Sequence, residues 1–484
     1  MPSAREAHLR HATHYEAVLR KASELYGQGG EILTRGLVMF DLEWSNIQAG
    51  QAWAAGHASQ DDIVAKLCSA YADAGVRLLE LRQHPREWID WLEAAIAATQ
   101  RLNDLAAEAK HLGNLGTAYW SLSESRRAIE LYEQCLTIQR KAGDRRGEGN
   151  ALVGLGLAYS KLGESNRAIE FYEQSLTIFR EIGDRRGEKI ALGNLGWAYI
   201  ALGAPRRAIE FCEQALDIDR EIGDRRAESQ DLGVLGAAYY ELGQPRRAIE
   251  FYEQQLAIAR EIGDQRGMSS ALGDLGGAYI GLGEPRRAIE FCEQALSIDR
   301  EIGDRWGEGI GLGNLGLAYA DLGETHHAIE FYEQQLAIVR EIGDRQSKGN
   351  ALGNLGLAYA DLGETLRAIE FYEQQMVIVR EIGNRLGEAN ALMNTGNAYG
   401  ILDQPSRAVE FYKQSLLVFR EIGDRRSEGL ALFNMSKVVD RLGGRAEAIV
   451  HICAALDVLE ELKDPNTDKV REQLAEWRGQ TNEG

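Results

Sequence analysis

Apolar residues along most of the chain fall in steps of three and four, and the whole pattern restarts every 40 residues. In the segment GNALVGLGLAYSKLGESNRAIEFYEQSLTIFREIGDRR, from Gly149 to Arg186, Leu152, Leu155, Tyr159 and Leu162 share one helical face. Ala168, Ile169, Tyr172, Leu176, Phe179 and Ile182 share one face of a second helix. Gly156 lies inside the first stripe, where a missing side chain lets a partner helix approach closely. Gly163 reads as a stop, because glycine tolerates the left-handed conformation past a helix end. The second helix starts at Pro205, Pro245, Pro285 or Pro405, suited to a first turn, or at Ser165, Thr325 or Thr365, suited to a cap. Gly183-Asp184 then closes the unit with a stop glycine and a capping aspartate for the next helix. The spacing predicts a hairpin of two short helices, neither of which can bury its stripe alone.

Leu152, Leu192, Leu232, Leu272, Leu312, Leu352, Leu392 and Leu432 hold one phase of the period, and Tyr159 through Tyr399 hold another. A fixed period of this length predicts a stacked-repeat solenoid. Residues 1–60 are expected to form an N-terminal helical cap, with helices over His8–Tyr26 and Leu37–Ala55. Residues 61–104 read as a degenerate unit: Pro85 stands three periods before Pro205, and Trp88, Leu92 and Asn103-Asp104 fall at repeat positions. Nine 40-residue units occupy 105–464, and 465–484 hold a polar capping helix over Asp468–Trp477 and a tail, with Pro465 ending the last unit. The stretch GLGNLGLAYADLGET recurs almost letter for letter in two units, which points to duplication within the gene.

The pattern of Leu155, Gly156, Tyr159, Ala168, Tyr172 and Leu176 resembles the tetratricopeptide repeat, over about three quarters of the chain. The resemblance implies an all-α, right-handed superhelical solenoid of antiparallel helix hairpins. The 40-residue form with NLG-x-AY and GDR resembles the adaptors that orient the mitotic spindle. It is less similar to kinesin light chains and to the repeat arms of bacterial signal-transducing (STAND-type) ATPase regulators. The stretch DLEWSNIQAGQAWA, from Asp41, resembles the helical segment preceding that arm.

A formal charge of −20 and a pI near 5.1 oppose a nucleic-acid partner, which needs a basic face, and an anionic membrane surface. No apolar run reaches the length of a spanning helix. The N-terminus lacks an apolar signal core, so a cytoplasmic protein is expected. The five cysteines are scattered, with Cys212 and Cys292 at the ring position held by Tyr172, and are read as reduced thiols.

No GxxxxGK[ST], HExxH, GxSxG or CxxC occurs, so neither an ATPase loop nor a metal or nucleophile site is expected. His8, His11 and His14 read as an exposed helix edge, since no further ligand completes a tetrahedron. The arginines of PRRAIE and EIGDRR are expected to pair with acidic neighbours on a solvated surface. A paired-carboxylate site would need one unit to stand out, and none is expected to. No enzyme activity and no cofactor are anticipated.

In the resembling family the first helices line a concave groove for peptides, with two contact positions one turn apart. The resemblance places groove contacts here at Lys110, Asn114, Asn150, Asn194, Asp274, Asn314, Asn350, Asn354, Asn390, Asn394 and Asn434. Asparagine suits an extended peptide backbone because its amide both donates and accepts; it also suits a bond between neighbouring units. Lys110 and Asn114 match the first pair of a chaperone-tail clamp, but Gly154 and the Ile190–Asn194 pair do not match the rest. Gly193, Gly233, Gly273, Gly313 and Gly353 are expected to clear the groove floor. Trp197, Tyr240, Leu317, Leu357 and Asn397 follow along the same face, aromatic anchors among them. The expected function is a non-catalytic scaffold or adaptor that binds a protein segment, favouring partners with basic stretches. The alternative is a detached sensor arm acting on a separate STAND-type ATPase or transcription regulator. The oligomeric state is open.

Overall fold

The computed structural model describes residues 3–27, 30–82 and 85–480. Every regular element among them is a helix, 23 in number, in an all-α solenoid of hairpins. The chain divides into two compact units, Met1–Gln244 and Pro245–Gly484.

The first unit opens with α1 (Ala4–Gly27), α2 (Gly30–His57), α3 (Asp62–Arg82) and α4 (Pro85–Leu102). Both leading helices run longer than the apolar pattern alone suggests; residues 28 and 29 of the glycine-rich break lie outside the described residues. The four helices share a core that buries Phe40, Ile47, Tyr71, Trp88 and Trp91. Tyr71 Oη donates to the Ala12 carbonyl at 2.7 Å, and the Trp91 ring stacks on Trp44 at 5.8 Å. Large rings therefore fill an end where regular units place small residues. The histidines of α1 sit beside rings: His8 is 6.0 Å from Trp53, and His11 and His14 are 4.6 and 4.9 Å from Tyr15.

The repeats follow with α5 (Leu105–Ser121), α6 (Ser125–Ala142), α7 (Arg145–Lys161), α8 (Ser165–Ile182), α9 (Arg185–Ala201), α10 (Pro205–Ile222) and α11 (Arg225–Glu241). Leu152, Leu155, Ala168, Tyr172 and Phe179 are all buried, as the two stripes require. Gly156 is obligatory: a Cβ there would lie 2.3 Å from the Tyr172 ring. Gly183 ends α8 in the left-handed region, φ 68°, and Asp184 accepts from the Gly187 amide at 3.1 Å to start α9. Ser165 is not a cap. It occupies the first helical position after Glu164, whose side chain makes no capping bond, and Thr325 and Thr365 behave the same way.

The arginines of EIGDRR do more than decorate a surface. Arg180 Nε and Arg185 Nη1 converge on the buried Glu188 carboxylate at 2.9 and 2.7 Å, so the end of α8 is tied to the first turn of α9. The same fork closes on Glu148, Glu228, Glu308, Glu388 and Glu428. Burial alone would raise the Glu188 carboxyl, but the two guanidiniums outweigh it and hold it below the ordinary range. Stability from such a group is present above the unfolded carboxylate pKa and is lost as pH falls through the lower folded value. Glu188→Ala should cost about 1.5–3 kcal/mol, the worth of charge-assisted bonds. Urea unfolding at neutral pH checks this, and the deficit should shrink below about pH 4.

The second unit holds α12 (Pro245–Ile262), α13 (Gln265–Gly281), α14 (Pro285–Ile302), α15 (Arg305–Asp321), α16 (Thr325–Ile342), α17 (Arg345–Asp361), α18 (Thr365–Glu381), α19 (Arg385–Ile401), α20 (Pro405–Ile422), α21 (Arg425–Arg441), α22 (Arg445–Glu461) and α23 (Thr467–Gln480). Pro465 does not end α22, which stops at Glu461 with Leu462 as its C-cap. Asp464 organises the turn instead, accepting from the Asn466 amide at 2.8 Å and from Arg426 Nε at 2.6 Å. The terminal helix is amphipathic rather than wholly polar. Val470, Leu474 and Trp477 of α23 are buried in the core that holds Ile452 and Leu459 of α22.

Candidate binding groove on the first helices

Within each unit the odd-numbered first helices of consecutive repeats touch directly, α5 to α7 to α9 to α11 and α13 to α15 to α17 to α19 to α21. Consecutive second helices have no comparable contact, which puts the first helices on the inner side of the stack. Their buried stripe faces the second helices. The positions one turn apart on the other side therefore line the inner face.

In the first unit a cavity of about 480 Å³ opens between α5 and α7 over α6. Lys110, Asn114, Thr117, Tyr132, Asn150 and Gly154 line it. Lys110 Nζ is held by Asp73 Oδ1 at 2.9 Å, while Asn114 Nδ2 is buried without a hydrogen-bond partner. Gly154 answers to Tyr132, whose ring lies 2.5 Å from where a Cβ would stand. Asn194 donates to the Ile190 carbonyl of its own helix at 2.9 Å. Trp197 is 55 % exposed, so it does not fill space between first helices, and Tyr240 is also exposed.

In the second unit the asparagines divide. Asn314 Nδ2 donates to the Gly273 carbonyl of the preceding first helix at 3.4 Å. Asn434 Nδ2 donates at 3.2 Å to Asn397 Oδ1, which also accepts from Tyr412 Oη at 2.6 Å. These three serve the stack. Asn350 takes only a long bond of 3.4 Å from Gln346. Asn354, Asn390 and Asn394 show no side-chain hydrogen bond among the described residues, and Asn354 and Asn394 share α17 and α19 with the exposed Leu357 and Leu386. Asp274 forms, with α13, α14 and α15, a second cavity of about 290 Å³. Asp274 is exposed to the groove, and the cavity walls crowding it raise its carboxyl above the ordinary range.

Two expectations about small and large residues change. Gly313 and Gly353 are buried over second-helix glutamines: a Cβ would meet Gln335 Nε2 at 2.5 Å and Gln375 Nε2 at 2.6 Å. Gly273 does face open space. Trp306, 60 % exposed, and Leu386 were not singled out by the repeat pattern, yet Trp306 lines the α13–α15 cavity one turn before Ile310. Their signal was available. They stand where Arg146 and Arg426 stand, which bond Asp184 and Asp464 of the next unit at 2.9 and 2.6 Å.

One junction also stands out in its carboxylates, contrary to expectation. Asp219 of α10 and Asp231 of α11 are buried together beside Lys189 of α9, whose Nζ lies 3.6 Å from Asp219 Oδ2 and 3.7 Å from Asp231 Oδ1. Burial raises both carboxyls, Asp231 further through its neighbour Asp219. Both aspartates are almost wholly buried, and the cation they face is the chain's own Lys189. The five cysteines are free, four of them buried, and burial pushes Cys68 and Cys135 up to about 11. No helix among the described residues is long and apolar enough to cross a membrane.

Comparison with known proteins bears on the family. Models of the tetratricopeptide repeat match residues 112–146, 147–221, 231–301, 307–374 and 347–421. No curated protein matches the chain. A signal transduction ATPase with numerous domains and a tetratricopeptide repeat sensor, from Pyrococcus horikoshii, is 18% identical, with 72% of this chain and 54% of that one covered at a TM-score of 0.51. This chain thus spans about half of that protein. Aspartyl phosphate phosphatase F from Bacillus subtilis is 11% identical, with 70% and 95% covered and a TM-score of 0.51. A putative kinesin light chain with nearly identical repeats, from Podosopora anserina, is 24% identical over 40% of this chain and 95% of that one, at a TM-score of 0.35. At these identities the first two show a shared fold only. With repeat models covering more than half of its length, the chain belongs to the tetratricopeptide repeat family.

Proposed function

We propose that the protein is a non-catalytic scaffold that holds a segment of a partner protein against its first helices. The observation that carries this reading is the run of exposed apolar side chains on the inner face, Trp197 in one unit and Trp306, Leu317 and Leu357 in the other. Packing of the hairpins does not use them, and exposed aromatic and aliphatic anchors beside unbonded amides are what a peptide needs. Asn354, Asn390 and Asn394 supply those amides in α17 and α19. Asn114, Asn150, Trp197 and Tyr240 extend the proposed contacts in the first unit, whereas Asn314, Asn397 and Asn434 act within the stack. The charge of −20 favours a partner with basic stretches, and the role needs neither nucleic acid, membrane nor cofactor. Such a scaffold works in the cytoplasm.

Peptides selected from a displayed random library on the wild-type protein test the assignment. An Asn354→Ala, Asn394→Ala double variant should bind them about tenfold more weakly, the loss of one or two bonds to the peptide backbone. Equal affinity for wild type and variant would remove the asparagines from the site.

A second reading, a sensor arm for a separate STAND-type regulator, draws on the DLEWSNIQAGQAWA stretch of α2 and on the fold shared with the archaeal protein. Mixing the chain with such a regulator and measuring nucleotide hydrolysis separates the two. An unchanged rate leaves only the scaffold.

A further inference from the structure

Two junctions 80 residues apart carry a carboxylate at the same buried position of a second helix, Asp219 on α10 and Asp299 on α14. In the other repeats that position holds glutamine or an apolar residue. Around Asp219 the chain supplies its own cation, the Lys189 ammonium, together with a second carboxylate, Asp231. Around Asp299 both are gone: Ser269 stands at the position of Lys189 and Gly311 at that of Asp231.

The cavity of about 290 Å³ opens at this second junction. Asp299, Ser269 and Gly311 line it, and Asp274, Trp306 and Asn314 complete the wall toward the groove. Ser269 Oγ is hydrogen-bonded to Asp299, and Ser270 Oγ donates to Asp274 Oδ2 at 3.5 Å. A hydroxyl is a weak substitute for an ammonium. Burial accordingly raises the Asp299 carboxyl, and the Asp274 carboxyl also stands above the ordinary range. The arginine in the lining, Arg266, has its Nε 3.6 Å from Asp304 Oδ2, on the cap of α15 rather than on either carboxylate. No lysine or arginine is paired with Asp274 or Asp299 among the described residues.

We infer that this cavity receives an alkylammonium group, seated on Asp299 and Asp274 with the face of Trp306 beside it. The Lys189 side chain in the homologous junction is the built-in counterpart of that ligand. A cation there restores the charge balance that the chain itself restores at Asp219, and an exposed indole adds a cation–π contribution. The ammonium comes from a lysine of the segment in the groove, in which case the inference rests on the scaffold reading, or from a free polyamine. A compact ammonium fits better than a guanidinium, since the two carboxylates come from different helices and offer no flat fork.

Isothermal titration calorimetry on the full chain tests this with three probes: a lysine-containing pentapeptide, the same peptide with its lysine acetylated, and spermidine. The lysine peptide, spermidine or both should bind the wild type, and the acetylated peptide should not. Spermidine alone binding assigns the site to free amines; the peptide binding assigns it to a partner lysine. Ser269→Lys, which places the ammonium from within, should weaken binding at least about tenfold, and Asp274→Asn, a near-isosteric change on the open wall, should do the same. A melting curve on each variant establishes that it is folded. Equal binding of the acetylated peptide, unchanged binding by folded Ser269→Lys, or no binding of either amine at about 10 mM overturns the inference. Failure of the scaffold reading looks different: spermidine would still bind and still be lost in Ser269→Lys, while the groove variants would leave peptide selection unaffected.

Discussion

At mildly alkaline pH Asp231→Ala should stabilise the α9–α11 segment by about 1–4 kcal/mol, because there the wild type must ionise a second buried carboxyl beside a single ammonium. Alanine already fits this position, standing there as Ala151, Ala191, Ala271, Ala351, Ala391 and Ala431 in other units. In the wild type one ammonium faces two buried carboxyls. Neither Asp219 oxygen, nor Asp231 Oδ2, has a hydrogen-bond donor. Asp224 adds further negative charge near Asp219, and the Cys212 thiol beside the cluster is pushed up to about 12, so it offers no charge of its own at neutral pH. The sign with pH follows from the raised folded pKa of Asp231. Its contribution is fully present below the unfolded value and is lost as pH rises through the folded one. The gain from Asp231→Ala is therefore largest at mildly alkaline pH and fades toward about pH 4. Lys189→Ala goes the other way, costing about 3–5 kcal/mol at neutral pH because it leaves the carboxyls with no cation. Hydrogen exchange of peptides from residues 185–241, read at two pH values, checks both. An Asp231→Ala variant that exchanges faster than wild type at alkaline pH would contradict the description of this junction.

The other large effect is on binding. Leu317→Lys combined with Leu357→Lys should weaken selected peptides by about 100-fold or more, since a buried anchor is worth about 2 kcal/mol. Leu317 and Leu357 are 39% and 47% exposed, so the melting temperature should hardly move. Leu417→Lys on the second helix α20 is the control. That residue is 68% exposed, more than Leu317 or Leu357, yet it lies on a helix that does not line the inner face, and its replacement should leave affinity unchanged. Fluorescence anisotropy with a labelled peptide gives all three affinities.

The hairpins were legible because each is written by local rules: stripe spacing, the close contact at Gly156, the left-handed Gly183 and the Asp184 cap. The same locality explains what was not legible. Asn314 and Asn354 sit in identical LGNLGLAYADLGET segments, but only Asn314 reaches the preceding first helix. The difference lies one repeat earlier. The glycine-rich α13 touches α15 more extensively than α15 touches α17, and Gly273 offers its carbonyl there. The Lys189 cluster escaped notice for a related reason. Its members come from three helices, and each alone reads as a surface residue. Trp306 was readable as a break in the arginine series, but only once Arg146 was seen to hold the next unit's cap. Repetition makes the fold easy to read and hides the site, because the residues that matter are the departures from the repeat.

The most direct measurement is site-specific photo-crosslinking to a selected peptide. With a benzophenone amino acid in place of Leu357, the peptide should be captured in high yield, and with the same group in place of Leu417 it should not. Capture from the Leu417 position with none from Leu357 would place the partner on the second helices and contradict the groove.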